Sequence, residues 1–236
     1  MKIVASGCSG MVGSCLLTEL ADRGHEVTQL VRSSPKAGER LWNPISGVLD
    51  MDVFRDCDGV IHLGGDNIAE GRWNPAKKKR IRESRIDSTA LLAKKMARAP
   101  TPPKFFLCAS AIGFYGNRGD EIMTENCMPG DDFLANVCQQ WEAASQPASD
   151  AGIRVINTRI GVVLATQGGA LAKMLTPFKL GLGGIVGDGK QFWSSVALTE
   201  LVKMIVFCCE NEGISGPVNA VGPNPVTNRE FTKKLG

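Results

Sequence analysis

Three glycines spaced as Gly7-Cys-Ser-Gly10-Met-Val-Gly13 follow directly on a short apolar run, Ile3-Val-Ala5, near the start of the chain. A strand that turns through spaced glycines into a helix, here Ser14 to Leu20, can hold a dinucleotide pyrophosphate. In such a turn Gly7 allows the tight bend, Gly10 lets the ligand approach the backbone, and Gly13 lets helix and strand pack closely. The helix N–H groups and dipole then face the phosphate charge. A second apolar run, Glu26 to Val31, ends on Arg32-Ser33-Ser34. In this kind of fold that strand end meets the adenosine ribose. An acidic residue there would accept from the ribose hydroxyls, whereas an arginine pairs with a 2′-phosphate, so Arg32 points to NADP(H). The alternative is a glycine turn used for packing and a solvated arginine at a strand end.

Such a site needs a parallel sheet behind it, and the chain supplies the pattern. Strand-like runs at Ile3–Ala5, Glu26–Val31, Gly59–Leu63, Phe105–Ser110 and Arg154–Thr158 are separated by long, helix-patterned connections. The clearest helix is Pro75 to Ala97, opened by proline and closed by Ala99-Pro-Thr-Pro-Pro103. Its basic stretch, Lys77 to Arg85, reads as a solvated helix face, with a phosphate or nucleic-acid patch as the alternative. After Leu164 the texture becomes glycine-rich and less periodic, which suggests loops of a substrate lobe lying over the cofactor. A helix over Thr199–Glu210, a turn-rich stretch at Val218–Pro225 and a new helix begun at Asn228 follow. The expected organisation is a dinucleotide-binding core over 1–165, then substrate-lobe loops and a returning core helix over 166–236. The fold class is α/β, a Rossmann-type doubly wound parallel sheet with a small, incomplete substrate lobe.

Composition narrows the function classes. The 236 residues, 43% of them hydrophobic, are enough for one large α/β domain. A net charge of +3 is too mild to argue for nucleic acid. The richest apolar stretch, Leu201 to Cys209, is interrupted by Lys203, so neither a membrane span nor a secretory leader is expected. Eight cysteines without a Cys-x-x-Cys pair favour a reducing compartment such as the cytoplasm, and no metal site.

Several further segments carry a family likeness: Leu63-Gly-Gly-Asp-Asn-Ile68, Gly71-Arg-Trp73, Arg82-Glu-Ser-Arg-Ile86, Ala109-Ser-Ala-Ile-Gly-Phe-Tyr-Gly116, Gly130-Asp-Asp-Phe133, Trp141-Glu-Ala-Ala144 and the run from Gly161 to Gly184. Together with the glycine turn they resemble the epimerase-like branch of the extended short-chain dehydrogenase/reductase superfamily, catalogued as sugar-nucleotide epimerases and in some genomes as cell-division inhibitors. The resemblance implies a Rossmann fold that binds NADP(H). It places Gly7, Ser9, Gly10, Met11 and Gly13 at the phosphates, Arg32 at the 2′-phosphate, and Leu63, Gly64 and Gly65 beside the adenine ribose. Ser110 matches the superfamily's catalytic Ser or Thr position, with a strand-end hydroxyl that caps the next turn as the alternative.

The same resemblance exposes departures. The Tyr-x-x-x-Lys pair expected on the helix after Ser110 is replaced by a segment containing Phe133, Val137 and Cys138. The single tyrosine, Tyr115, could serve the nicotinamide region or form an aromatic wall of the pocket. Relatives carry Trp-Ile-His where this chain has Trp193-Ser-Ser195, and they continue past position 236. The expected function is an NADP(H)-dependent oxidoreductase or epimerase-like protein acting on a small carbonyl or hydroxyl compound such as a nucleotide sugar. The alternative is a non-catalytic NADPH-binding regulatory or interaction protein. Nucleic acid and membrane are not expected partners, whereas self-association is, through Leu182, Ile185, Phe192 and Trp193 left near solvent.

Overall fold

A computed structural model describes residues 1–236. In chain order the strands are β1 (Lys2–Ser6), β2 (Glu26–Val31), β3 (Glu39–Asn43), β4 (Val48–Leu49), β5 (Gly59–His62), β6 (Phe105–Ala111), β7 (Arg154–Ile160), β8 (Val162–Ala165), β9 (Phe192–Trp193), β10 (Ser195–Ala197), β11 (Gly216–Ala220) and β12 (Val226–Thr227). The helices are α1 (Met11–Asp22), α2 (Pro75–Met96), α3 (Phe133–Ala143), α4 (Gln146–Asp150), α5 (Gly169–Lys179), α6 (Leu198–Glu210) and α7 (Asn228–Leu235).

Eight strands form one sheet in the order β11-β7-β6-β5-β1-β2-β3-β4. Only the edge strand β4 is antiparallel to its neighbour. Successive strands run outward from β1 through β2 and β3, then the chain crosses to β5 and continues through β6 and β7. The order therefore reverses between β1 and β5, and a doubly wound sheet binds its ligand at that reversal, outside the carboxyl ends of the strands.

Both faces of the sheet are buried, which the period of two makes visible. Ile3, Ile61, Phe105 and Leu107 pack with Leu16 and Leu20 of α1 and Leu201, Val202 and Ile205 of α6. Val4, Val60, Phe106 and Cys108 turn the other way, toward Leu92 and Met96 of α2 and Trp141 of α3. Strands covered on both faces read as continuous apolar runs, so these three, β1, β5 and β6, are plain in the sequence.

Three regions depart from the sequence reading. The β3–β4 hairpin went unread because Leu41 and Val48 are exposed and only Trp42 and Leu49 turn inward. The Val218–Pro225 stretch, read as turns, begins with β11, which adds parallel to β7. Its Pro217 lacks an N–H, and an edge strand is where a sheet tolerates that. With α6, the helix expected over Thr199–Glu210, it completes a regular crossover unit, so the region holds a strand beyond the expected loops and returning helix. The glycine-rich stretch also contains α5, which carries Pro177 within it. Around the main sheet lie two small pairings, β8 with β10 and β9 with β12. Leu182, Ile185 and Phe192 are exposed, whereas Trp193 is half-buried and stacked on Phe231 of α7 with ring centroids 5.1 Å apart. No helix is long and apolar enough to cross a membrane.

Candidate functional site

The glycine turn connects β1 to α1, and its three glycines are required for different reasons. Gly7 has φ +78°, and a Cβ on it would lie 2.6 Å from the backbone of Leu63 and Gly64, the chain leaving β5. A Cβ on Gly13 would lie 2.5 Å from Cys8 Cα, so it is the contact between helix and turn that excludes a side chain there. Gly10 differs from both. Its φ of −81° suits any residue, and a Cβ would meet only Gly7 O at 3.6 Å. Nothing in the protein requires a glycine at position 10, and the open space over it is where a pyrophosphate would come.

The N-terminus of α1 fits that occupant. No side chain caps it and no acidic residue lies in its first turn, so its leading N–H groups and dipole are left for an anion. Ser9 is exposed beside it. Met11 contributes backbone to the first turn, while its side chain packs toward Gly168 and Gly169 at the start of α5. Arg32 is exposed just past β2, on the same rim of strand ends.

Across the reversal, Leu63 continues the β1–β5 ladder through its N–H to Ser6 O at 3.0 Å. Gly64 then passes the His62 ring and Gly65 passes the Arg85 guanidinium. Beneath them His62 is fully buried between Ser6 Oγ (2.6 Å to Nδ1) and Ser88 Oγ (2.9 Å to Nε2). Ser88 donates to Ser84 O at 2.7 Å, so it accepts from Nε2–H and His62 is neutral, with Nδ1 accepting from Ser6. Burial pushes its pKa down to about 3, helped by the Arg85 charge. Lys77 of α2 fixes the segment beyond, donating to Asp66 and to Asn67 O, both at 2.6 Å.

At the end of β6, Ser110 and Tyr115 belong to one buried polar network. Ser110 Oγ donates to Glu142 Oε1 at 2.6 Å. The Glu142 carboxylate also receives Arg159 Nε and Nη2, each at 2.9 Å. Arg159 Nη1 donates to the Tyr115 hydroxyl at 2.9 Å, and that hydroxyl donates to Asn219 Oδ1 of β11 at 2.6 Å. The guanidinium lies 3.5 Å from the Phe114 ring centroid. Burial alone would lower the Arg159 pKa, but its bonds to Glu142 and Tyr115 outweigh that and hold it raised. Ser110 and Tyr115 are both nearly inaccessible, at 3% and 4% exposure.

The helix expected to carry a tyrosine and lysine is α3, and it brings neither to this place. Phe133 sits at its outer end against Trp73 and Lys78. Val137 is buried, and the Cys138 thiol, beside Gly113, is pushed up to about 11 by burial. Sequence reasoning missed Glu142, Arg159 and Asn219 as network members. The signal was present for two of them, since Arg159 extends an apolar strand and Glu142 belongs to the Trp141-Glu-Ala-Ala segment.

Comparison with known proteins agrees with the geometry. Residues 3–222 match the NAD dependent epimerase/dehydratase family. An epimerase family protein of Mycobacterium leprae is 42% identical over 235 residues, covering 99% of this chain and 76% of that protein. The human epimerase family protein SDR39U1 is 36% identical over 239 residues, covering all of this chain and 80% of its own length. The crystal structure of human SDR39U1 (isoform 2) with NADPH superimposes with a TM-score of 0.89, covering 100% of this chain and 80% of that one at 35% identity. A nucleoside-diphosphate sugar epimerase from Corynebacterium glutamicum gives a TM-score of 0.89 at 43% identity, covering 100% of this chain and 49% of that chain. With its Rossmann-like sheet and its glycine turn, this chain belongs to the NAD dependent epimerase/dehydratase family, as an epimerase-like member of the extended short-chain dehydrogenase/reductases.

Proposed function

We propose that the protein binds NADP(H) across the β1–β5 reversal and acts, slowly, as an oxidoreductase or epimerase on a small hydroxyl or carbonyl compound, a nucleotide sugar being one candidate. The observation that carries the cofactor reading is the close backbone approach that Gly10 permits at an uncapped helix N-terminus. Arg32 on the same rim and the NADPH in the human relative's structure support the phosphorylated form. When bound, NADP(H) supplies or accepts the electron pair of the reaction.

The residues of this chain supply proton handling. Because the Ser110 hydrogen is directed at Glu142, the oxygen of Ser110 is left as an acceptor, suited to a substrate hydroxyl. The substrate proton passes to Ser110 Oγ while the serine's own proton passes to Glu142 Oε1, and the reverse transfer serves a carbonyl substrate. Two Arg159 N–H groups hold the same carboxylate in place, and with no tyrosine and lysine pair on α3 the relay is slow.

A second reading, a non-catalytic NADPH-binding protein, is favoured by the Tyr115 hydroxyl, already engaged by Arg159 and Asn219. The protein would be purified, any co-purified nucleotide identified, and NADPH absorbance followed with a panel of carbonyl compounds. Firm NADPH binding with slow turnover that falls in Ser110→Ala supports the first reading. Binding with no turnover supports the second, and absence of NADPH binding removes both. All eight cysteines are free, which supports a reducing, cytoplasm-like compartment.

A further inference from the structure

Arg85 stands apart from the other buried cations of this molecule. Arg159 is engaged by Glu142, Tyr115 and Glu125 O, Arg154 by the carbonyls of Cys208, Cys209 and Ile214, and Lys77 by Asp66 and Asn67 O. Arg85 makes a single side-chain hydrogen bond, from Nη1 to Ile81 O in its own helix at 3.0 Å. Its acidic neighbour, Asp66, is bound to Lys77 at 2.6 Å. A guanidinium has five N–H donors, and a half-buried one with four of them free of any protein partner has lost water without gaining a counter-charge.

Its surroundings fix it in place. The guanidinium lies over the Trp141 ring, 5.1 Å from the centroid, and Trp141 is itself held by its Nε1–H to Thr89 Oγ1 at 2.9 Å. On the other side the chain leaving β5 passes so close that a Cβ on Gly65 would lie 3.1 Å from Arg85 Cζ. Gly65 is not in the left-handed region, so the guanidinium, and not the turn, is what its lack of a side chain accommodates. The charge is thus stacked and oriented at the end of β5, beside Gly64, which abuts the glycine turn. Arginine in a rigid setting with a free edge is suited to planar recognition of a carboxylate or phosphate.

We infer that Arg85 is an oxyanion-binding residue of the crevice, taking a carboxylate or phosphate of the bound small molecule. The inference takes its place from the proposed NADP(H) site, and the anion has two sources, the substrate or the diphosphate of the cofactor. The test uses the full chain as parent, Arg85→Gln and Arg85→Lys. NADPH affinity is measured by fluorescence titration, and inorganic phosphate and acetate are titrated by thermal shift, with and without saturating NADPH.

If the anion belongs to the substrate, phosphate or acetate stabilises the NADPH-bound parent, and the midpoint rises ten-fold or more in Arg85→Gln, less in Arg85→Lys, with NADPH affinity within two-fold. If it belongs to the cofactor, NADPH affinity itself falls ten-fold or more in Arg85→Gln and the added anions have no effect on the holo-protein. Either result supports the role. Because the charge has no protein counter-ion, Arg85→Gln should melt no lower than the parent. A variant that melts lower while both titrations match the parent shows a structural arginine and overturns the inference, as do two unchanged titrations at equal melting temperature. A parent that fails to bind NADPH sinks the cofactor reading alone, provided phosphate still gives an Arg85-dependent shift in the cofactor-free protein.

Discussion

Ser110 Oγ lies 2.6 Å from Glu142 Oε1, and the carboxylate that accepts its proton is held on both oxygens by Arg159. A hydroxyl at the end of β6 is therefore tied to an ion pair whose side chains are 4% and 13% exposed. Removing one partner of such a pair leaves the other charge buried.

Glu142→Ala is accordingly expected to lower stability by about 3–5 kcal/mol, read from urea denaturation, because it strands Arg159. Ser110→Ala is expected to cost about 1–3 kcal/mol, since a hydrogen-bonded carboxylate oxygen loses one of its donors. If Ser110 relays the proton, the same variant lowers turnover by roughly 10²–10⁴ while NADPH affinity stays constant. Rapid turnover that survives both Ser110→Ala and Tyr115→Phe would remove these residues from the chemistry.

Gly10 and Gly13 should respond in opposite ways to one methyl group. Gly13→Ala places a Cβ 2.5 Å from backbone and should cost about 1–3 kcal/mol or more of folding stability. Gly10→Ala should fold like the parent yet bind NADPH more weakly, and Gly10→Val should abolish binding in a folded protein. Circular dichroism melts paired with NADPH titration check both. Parent affinity in Gly10→Val would place the phosphates elsewhere.

Arg32 should set the choice between cofactors. Charge-assisted hydrogen bonds are worth about 1.5–3 kcal/mol, so NADPH should bind roughly ten-fold or more tightly than NADH. In Arg32→Ala that preference should largely vanish through a loss of NADPH affinity, with NADH affinity unchanged. Isothermal titration of both nucleotides decides it.

His62 gives stability a pH dependence on the acid side. Its pKa is about 3 in the folded protein against an ordinary 6.5, so between those values the unfolded chain binds a proton that the folded one excludes. Stability is full above pH 6.5 and falls as pH drops toward 3, by up to about 1.4 kcal/mol per pH unit from this group. Denaturation midpoints for the parent and His62→Gln between pH 7 and 4 should show a shallower fall in the variant. Parallel curves would mean that His62 does not exclude the proton.

Most of the fold was legible because its central strands are buried on both faces and α2 carries its own punctuation, with Asn74 capping Lys77 N–H at 2.8 Å ahead of Pro75. The glycine turn was legible because Gly7 and Gly13 answer backbone constraints that sequence spacing expresses directly. The Ser110 network was not. Its members come from β6, the turn after it, α3, β7 and β11, and only the packed sheet brings them within 3 Å of one another. Arg85 lay in a basic stretch read as a solvated face, which holds for exposed Arg82 but not for the arginine one turn on.

Tyr115 and Asn219 are joined across 104 positions of sequence, and the Asn219 N–H donates to Glu125 Oε1 at 2.8 Å across 94. Contacts of that separation form only after the intervening loops have closed, so they arrive late as a chain folds. The glycine turn, by contrast, is assembled within the first few dozen residues, from β1, α1 and the end of β5. During synthesis the glycine turn can therefore form before the buried polar network around Arg159 has its last member. That turn thus depends on the first strands alone, whereas the hold on the Tyr115 hydroxyl by Asn219 waits until β11 docks.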